Sequence, residues 1–436
     1  MSKIKLIFVT FLLLPIIWFS MVGIKKAIYI IIYFLFSGLL IFVKPESLFL
    51  GTFLSIINYN SNFILSKNSI VNFSLPLSLI AVFAMRFKSK RMFFLKLSVT
   101  DILIFLFLIY ANFVNFLFSY RMEITKVLLN IAFFSIATVV MRKFILTKEW
   151  NKIFLYYILA VVITSIYYFI KYVSFYGADV FKSPIFRFSA GNADPNVFGR
   201  FVIISIAMIL TVNLPSIKRV LKVIFILLLI FVGMLTYSKM FSIILVIIFF
   251  IAGLKVGRTN KYFLFVFLLI SLSFSVLVVL FITKVKGSLE IPILGPLYAR
   301  FFMGGTTTSL LSFRNIIWEA SWKALEEKNV IDFLIGGGYN YSRYLLWEKL
   351  GVIISTHNCF LQVLLDYGIV GFLIFMGIIL TNIKKINLVE LAYLLTIFSL
   401  AWIFDWSMLM FFVLWGNKNL PSRMEKNECK QDITCG

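Results

Sequence analysis

The stretch Ser355-Thr-His-Asn-Cys-Phe-Leu-Gln-Val-Leu-Leu-Asp-Tyr-Gly-Ile-Val-Gly371 turns from polar to apolar within a few residues and holds His357, the single histidine of the chain. From Cys359 the sequence stays largely apolar to Leu380, long enough for a helix to cross a hydrocarbon layer of about 30 Å. Similar runs recur along the whole chain, so the fold class read here is an all-α, polytopic integral membrane protein with about 12 to 14 transmembrane helices. Asn358, Gln362 and Asp366 recur every four residues and form one polar stripe on an otherwise apolar helix, with His357 just off that stripe at the helix entrance. Gly368 and Gly371 then offer a small surface that a neighbouring helix can approach closely. A neutral imidazole accepts a proton near pH 7, which makes His357 a candidate general base. A structural histidine is the plain alternative.

Composition narrows the class. Of 436 residues, 61% are hydrophobic and only 14% charged, outside the range of globular domains. The formal net charge of +24 raises the question of nucleic acid. The basic residues, however, sit in short turns between apolar runs, as in Arg86-Phe-Lys-Ser-Lys-Arg91 and Lys218-Arg219, which is the pattern of cytoplasmic loops. No nucleic-acid partner is expected. Cys359, Cys429 and Cys435 make no paired framework, and no Cys/His cluster suggests a metal site. The run Ile4 to Met21 follows two lysines but lacks a small-x-small cleavage site, so it reads as an uncleaved first span.

Placing basic turns inside gives the expected organisation. Residues 1–173 are N-terminal membrane helices, 174–196 an external loop with Arg187, and 197–282 central membrane helices. Residues 283–356 are a large external loop with Arg314, 357–417 C-terminal membrane helices, and 418–436 a basic cytoplasmic tail. Lys25 and Lys26 fall on the external side in this scheme, against the rule. The run Leu388 to Trp415 carries Asp405, and a charge at mid-bilayer costs roughly 2.5 to 3.5 kcal/mol, so two short segments hinged there are expected.

Three external patterns carry candidate chemistry. In Ile185-Phe-Arg-Phe-Ser-Ala-Gly-Asn-Ala-Asp-Pro-Asn-Val-Phe-Gly-Arg200, backbone groups of Gly191 to Asn196 before a helix at Val197 suit an anion pocket, with Arg187 or Arg200 gripping phosphate; an ordinary turn is the alternative. Tyr237-Ser-Lys-Met240 supplies Lys239, either a binding cation or a snorkelling interfacial lysine. In Ser312-Phe-Arg-Asn-Ile-Ile-Trp-Glu-Ala-Ser-Trp-Lys-Ala-Leu325, Arg314, Trp318 and Trp322 share one helical face. That helix either lies on the membrane with its tryptophans at headgroup depth or presents them to a substrate. Gly336-Gly-Gly338 follows as a flexible turn.

The order His357-Asn358, Leu361, Gln362, an acid at Asp366, then Gly368 and Gly371 resembles the signature of the O-antigen polymerase and O-antigen ligase superfamily. Asp366 stands where a Glu is more usual. Asp194-Pro-Asn196 before a span, Ser238-Lys239 in place of Ser-Arg, and Arg314 followed by Trp318 are similar to the family's other elements; Gly199 lies one residue beyond the usual spacing from its arginine. The resemblance implies glycosyl transfer from a polyprenyl-pyrophosphate-linked glycan to a sugar hydroxyl at the outer face of the cytoplasmic (inner) membrane, with no cofactor or metal. It implies His357 as the acceptor of the hydroxyl proton and Arg314, with Arg187 or Arg200, as the stabilisers of the departing charge. Lys239, Asn358, Gln362, Asp366, Trp318 and Trp322 become substrate-binding candidates, the tryptophans as a sugar-stacking platform, and Asp366 or Asn358 is expected to orient the imidazole. The implied partners are the lipid-linked glycan, membrane lipid, a flippase and chain-length regulator proteins.

Polymerisation of repeat units into an O-antigen or capsule is the first reading. A ligase delivering the glycan to lipid A core or protein is the second. A flippase or other transporter of lipid-linked oligosaccharide, the rival from another class, predicts charges within many spans and an internal repeat; neither is evident. No Asp-x-Asp motif occurs anywhere, which disfavours a nucleotide-sugar enzyme with a bound divalent metal.

Overall fold

Apolar runs bounded by polar or glycine-containing turns fold as helices throughout. The computed structural model describes residues 3–22, 27–59, 71–89, 97–118, 124–177, 180, 186–190, 194–212, 217–257, 314–399, 406–418 and 420. The expected span at 262–282, the first part of the large external loop, Lys25, Lys26, Gly191, Asp405, Cys429 and Cys435 lie outside these residues. The helices are α1 (Lys3–Val22), α2 (Ala27–Val43), α3 (Leu48–Tyr59), α4 (Val71–Ser89), α5 (Val99–Phe118), α6 (Ile124–Phe144), α7 (Thr147–Tyr176) and α8 (Pro195–Thr211). They continue as α9 (Arg219–Leu235), α10 (Lys239–Gly257), α11 (Arg314–Glu326), α12 (Val330–Ile335), α13 (Tyr341–Leu350), α14 (Cys359–Leu380), α15 (Leu388–Ser399) and α16 (Trp406–Leu414). The chain is an all-α membrane protein: Val99–Phe118, Glu149–Tyr176 and Cys359–Lys385 are long and apolar enough to cross a bilayer, and shorter apolar helices accompany them. Apolar side chains on α1 and α2, such as Phe11, Trp18 and Phe42, point away from the protein, as lipid-facing residues do.

Helix α7 is longer than the sequence suggested. Its 30 residues span about 45 Å, so it overshoots the hydrocarbon at both ends. It starts at Thr147 because the Glu149 carboxylate accepts from the Leu146 amide (2.8 Å), satisfying a donor that the first turn leaves orphaned. The expected external loop at 174–196 therefore begins inside the last turn of α7, which Gly177 ends in a left-handed conformation (φ 70°). The apolar stretch after Leu388 contains two short helices packed on each other, α15 and α16, while Asp405, where the hinge is expected, lies outside the described residues.

Two ends of the bundle are pinned differently. At one, the buried Arg142 guanidinium at the end of α6 pairs with Asp101 at the start of α5 and donates to the carbonyls of Phe412 (2.9 Å) and Trp415 (2.7 Å) at the end of α16. Thr100 bonds Thr381 (3.0 Å) at the same level, and Lys143 pairs with Asp101. At the other end, the Asn115 amide oxygen of α5 accepts from the Tyr339 amide (2.6 Å), while the Tyr110 hydroxyl donates to the carbonyls of Ile335 (3.1 Å) and Tyr367 (3.2 Å). Helix α14 thus lies antiparallel to α5, with the Phe107 ring packed among Tyr367, Phe375 and Phe412.

Helix α14 is bent, not straight. Gly368 takes φ 63° and ψ −171°, which breaks the helical ladder two residues after Asp366. Into the bend comes the backbone of residues 334–336. A Cβ on Gly336 would run into the Asp366 carbonyl, and one on Gly368 into the Leu334 carbonyl. The close approach expected at Gly368 is therefore made by the end of α12 and the glycine turn, whereas Gly371 faces Tyr110 of α5.

Gly368→Ala is expected to lower the unfolding temperature of the detergent-solubilised protein more than Gly351→Ala. Both glycines sit at positive φ, but a Cβ at Gly351 meets nothing, so only the left-handed strain of about 1 to 2 kcal/mol acts there. Equal shifts would show that the Gly368–Leu334 contact carries no weight.

Candidate functional site

Four residues other than glycine hold a left-handed backbone among the described residues: Ala190, Tyr237, Asn340 and His357. Each lies in a turn at the end of the bundle where α8, α10, α13 and α14 begin. Such strained positions persist only where surrounding structure enforces them, and they gather at functional sites.

His357 sits at φ 49° in the turn that enters α14. Two neighbours hold this turn. The Trp318 indole of α11 donates to the Thr356 carbonyl (3.0 Å), and the Asn358 side chain caps α14 by accepting from the amides of Phe360 (2.9 Å) and Leu361 (3.3 Å). The imidazole is half-buried, and its Nδ1 is buried with no hydrogen-bond partner among the described residues. Burial holds the imidazole below its ordinary range; the Arg314 guanidinium adds to this, Asp194 opposes it, and Arg343 adds a smaller push. His357 is therefore neutral at pH 7 and able to take a proton.

Arg314 opens α11, half-buried, with burial working against its charge and Asp194 supporting it. Asp194 caps α8 just ahead of Pro195, the proline in the first helical turn. Its Oδ1 accepts from both the backbone amide (2.8 Å) and the side-chain amide (2.9 Å) of Asn196. The Asn196 Oδ1 in turn accepts from Arg187 (3.1 Å), whose Nε donates to the Thr236 carbonyl (3.0 Å) at the end of α9. Phe188 N bonds Leu235 O (2.9 Å) beside it, so the loop at 186–190 is stitched to the α9–α10 turn. Arg187 reaches the site through Asn196 and Asp194.

The polar stripe on α14 has a supporting task. Asp366 is fully buried; its Oδ1 accepts from the Ser342 amide (2.6 Å) in the first turn of α13 and its Oδ2 from the Gln362 side chain (3.2 Å). Its carbonyl accepts from Gly338 N (2.8 Å). A carboxylate at a helix N-terminus is favoured by both the orphan amides and the helix dipole. Lys328 closes the arrangement: its ammonium donates to the Leu365 carbonyl (2.7 Å), lies 4.9 Å from the centre of the Tyr341 ring, and is pushed down to about 8 by burial against the opposing pull of Asp366 and Asp332. Asp366 and Asn358 thus hold α13 and α14, and neither carboxylate nor cap amide is spent on the imidazole. Arg343 follows Ser342 directly, is half-buried, and acts electrostatically on both Asp366 and His357.

His357 lies within electrostatic reach of Arg314, Asp194 and Arg343. The sequence reading missed the last two as site residues. The Asp194-Pro-Asn196 pattern announces a helix start, but its charge faces a partner more than a hundred residues away, and Tyr341-Ser-Arg-Tyr344 carries no local signal at all. Other candidates sit differently. Arg200 is buried inside α8 within electrostatic reach of Tyr157 of α7. Lys239 opens α10 next to the turn that receives Arg187. Trp318 is committed to Thr356, and Trp322 is half-exposed one turn further along α11. Among the described residues no group of three or more His, Cys, Asp and Glu side chains is placed to hold a metal ion.

Residues 223–376 match the family model described as O-antigen ligase, about a third of the chain. The match runs from α9 to the lower half of α14 and takes in Lys239, Arg314, Arg343, His357 and Asp366; Arg187, Asp194 and Arg200 precede it. It supports the O-antigen polymerase and ligase superfamily, whose members are glycosyltransferase-like enzymes acting on lipid-linked glycans, and it does not separate polymerase from ligase. Comparisons with curated proteins and with solved structures gave no match.

Replacing Asp366 by Leu strips a buried acceptor from Ser342 N and is expected to cost about 1.5 to 3 kcal/mol, the range for hydrogen bonds to charged groups. Asp366→Asn keeps an acceptor oxygen and should cost less. Chemical unfolding of the two variants in detergent compares them; a Leu variant as stable as the Asn variant would remove Asp366 from its supporting task.

Proposed function

We propose that the protein polymerises polyprenyl-pyrophosphate-linked oligosaccharide repeat units into a surface polysaccharide, by glycosyl transfer at the outer face of the cytoplasmic membrane. The observation that carries this reading is a half-buried imidazole, with a buried and unpartnered Nδ1, within electrostatic reach of two guanidinium groups at the end of a membrane bundle. An acceptor hydroxyl attacks the anomeric carbon of the lipid-linked sugar while the bond to the pyrophosphate oxygen breaks. His357 takes the hydroxyl proton. In this reading Arg314 and Arg343 stabilise the charge that develops on the departing pyrophosphate, since an arginine fork matches phosphate geometry. Cations held at a water-poor site can do the electrostatic work that a divalent metal does elsewhere.

The sidedness of the site follows from charge. The opposite end of the bundle carries Lys44, Lys152, Lys218, Arg219, Lys384 and Lys385 in its turns, so the positive-inside rule assigns that end to the cytoplasm and the His357 end to the exterior. The chemistry reads a lipid pyrophosphate, which lies at the headgroup level of the leaflet on that side. Polymerase and ligase share this chemistry and differ only in the acceptor, a second lipid-linked repeat unit or a lipid A core or protein.

His357→Ala is expected to reduce polymer formation from purified lipid-linked repeat units by about 10²- to 10⁴-fold, the usual worth of a positioned base. Arg314→Lys should keep a charge but lose bidentate contact, lowering turnover less than Arg314→Ala. Electrophoresis of the products measures both; a His357→Ala protein of normal abundance and normal polymer yield would refute the assignment. A deletion strain that accumulates single lipid-linked repeats supports polymerisation, whereas long unattached chains assign the ligase reaction.

A further inference from the structure

We propose that α12 is a re-entrant helix, seated inside the leaflet at the His357 end of the bundle, and that its exposed side chains contact the acyl chains of that leaflet. The inference stands on contacts and lengths and does not depend on the reaction proposed above. Helix α5 has 20 residues and α14 has 22, so each runs about 30 Å, the thickness of the hydrocarbon. Tyr110 lies eight residues before the end of α5 at Phe118, and Gly368 nine residues after the start of α14 at Cys359, which puts both about 12 to 13 Å below the end of the bundle. The end of α12 meets both. Its Ile335 carbonyl accepts from the Tyr110 hydroxyl (3.1 Å), and the backbone of Leu334 and Gly336 lies in the bend at Gly368. A helix of six residues is only about 9 Å long, so with one end at that depth the other still lies within the hydrocarbon, whatever its tilt.

Non-helical backbone is tolerated at such depth only where protein satisfies it. Three successive carbonyls of α14 at the bend each have a partner from outside that helix: Leu365 O accepts from the Lys328 ammonium (2.7 Å), Asp366 O from Gly338 N (2.8 Å) and Tyr367 O from the Tyr110 hydroxyl (3.2 Å). The glycine turn then climbs to Tyr339, whose amide donates to Asn115 (2.6 Å), three residues from the end of α5. Side chains of α12 sort by environment. Asp332 accepts from the Tyr341 hydroxyl of α13 (3.3 Å) and from the Asn329 side chain (3.1 Å). Val330, Ile331, Phe333 and Leu334 are all exposed, Val330 at 73% and Ile331 at 61%, and no residue of α12 is buried. Four large apolar side chains held against water are unfavourable; against acyl chains, which are as apolar as leucine, they are not. The segment between Arg314 and His357 is thereby anchored in the leaflet by α12, and the helices on either side of it, α11 and α13, carry Arg314 and Arg343.

Ile331→Cys and Leu334→Cys test this, each made in the full-length protein with Cys359→Ala, Cys429→Ser and Cys435→Ser, spin-labelled and placed in phosphatidylethanolamine–phosphatidylglycerol vesicles. Power saturation compares collisions of the label with oxygen, which concentrates in hydrocarbon, and with a nickel chelate, which stays in water. Both labels are expected to meet oxygen several-fold more often than the chelate. A label at Glu319→Cys, an exposed α11 position ion-paired to Lys323, should show the reverse. Chelate access at 331 and 334 equal to that at 319 would mean that α12 lines an aqueous cavity, and overturns the proposal. Exclusion of both probes overturns it too, because protein then covers the helix. Val330→Cys, also exposed, replaces either variant that does not fold. Neither outcome bears on His357, whose role is read from polymer yield.

Discussion

A buried carboxylate at the neck of a bent membrane helix holds the rest of this structure in register. Asp366 cannot be left unpaired where it lies, since an unsatisfied charge away from water costs several kcal/mol. The partners that satisfy it come from three places: Ser342 N on α13, Gln362 on its own helix, and the nearby Lys328 ammonium. The bend at Gly368 allows this by letting the backbone of residues 334–336 approach without a side chain between. Because the segment from Arg314 to His357 is anchored at this point, and again by Trp318 to Thr356, it behaves as an extension of the membrane helices and not as an appended loop. Arg343 and His357 gain fixed positions from the same anchor.

The opposite end follows a comparable rule with the charges reversed. Arg142, fully buried, would be as costly as Asp366 without partners, and it is met by Asp101 and by the carbonyls that α16 leaves unsatisfied at its C-terminus. Helix α5 is common to both ends, contributing Asp101 to one and Asn115 and Tyr110 to the other. A membrane interior supplies little hydrophobic force between helices, so polar contacts of this kind specify which helices are neighbours. The bundle is thereby determined by a handful of polar residues spaced along α5, α6 and α14, with aromatic packing around Phe107 filling the space between.

Much of this was legible in the sequence, and the limits of legibility have physical causes. Helix α14 was read with its bounds, and α11 with Arg314, Trp318 and Trp322 on one face, because apolar periodicity and length act within one segment. The two short segments expected after Leu388 are present as α15 and α16. Tertiary hydrogen bonding, in contrast, decides the tasks of polar side chains. Trp318, read as a stacking platform, donates its indole N–H to Thr356; Asp366, read as a companion of the histidine, accepts from the first turn of α13; Gly368, read as a close approach for a helix, bends α14 and admits a turn. Arg343 lay unseen for the same reason, since nothing beside it in the chain records that α13 packs on α11 and α14.

The electrostatics of the site contain a conflict that explains its composition. Guanidinium groups favour a pyrophosphate leaving group, yet the same charges lower the proton affinity of an imidazole beside them, so a pocket made better for the leaving group is made worse for the base. Adding an acid next to the histidine alone would cure the second fault but attract the arginines away from phosphate. Of the three charges acting on His357, Asp194 alone opposes this fall in proton affinity, and it caps α8, where helix amides already stabilise its charge. In the proposed reaction a pyrophosphate that enters beside Arg314 adds negative charge near the imidazole and raises its affinity for a proton at the moment the acceptor hydroxyl must lose one. Substrate binding and base strength are thus coupled in that reaction, because the charge that the guanidinium groups attract is the charge that makes the imidazole a better base.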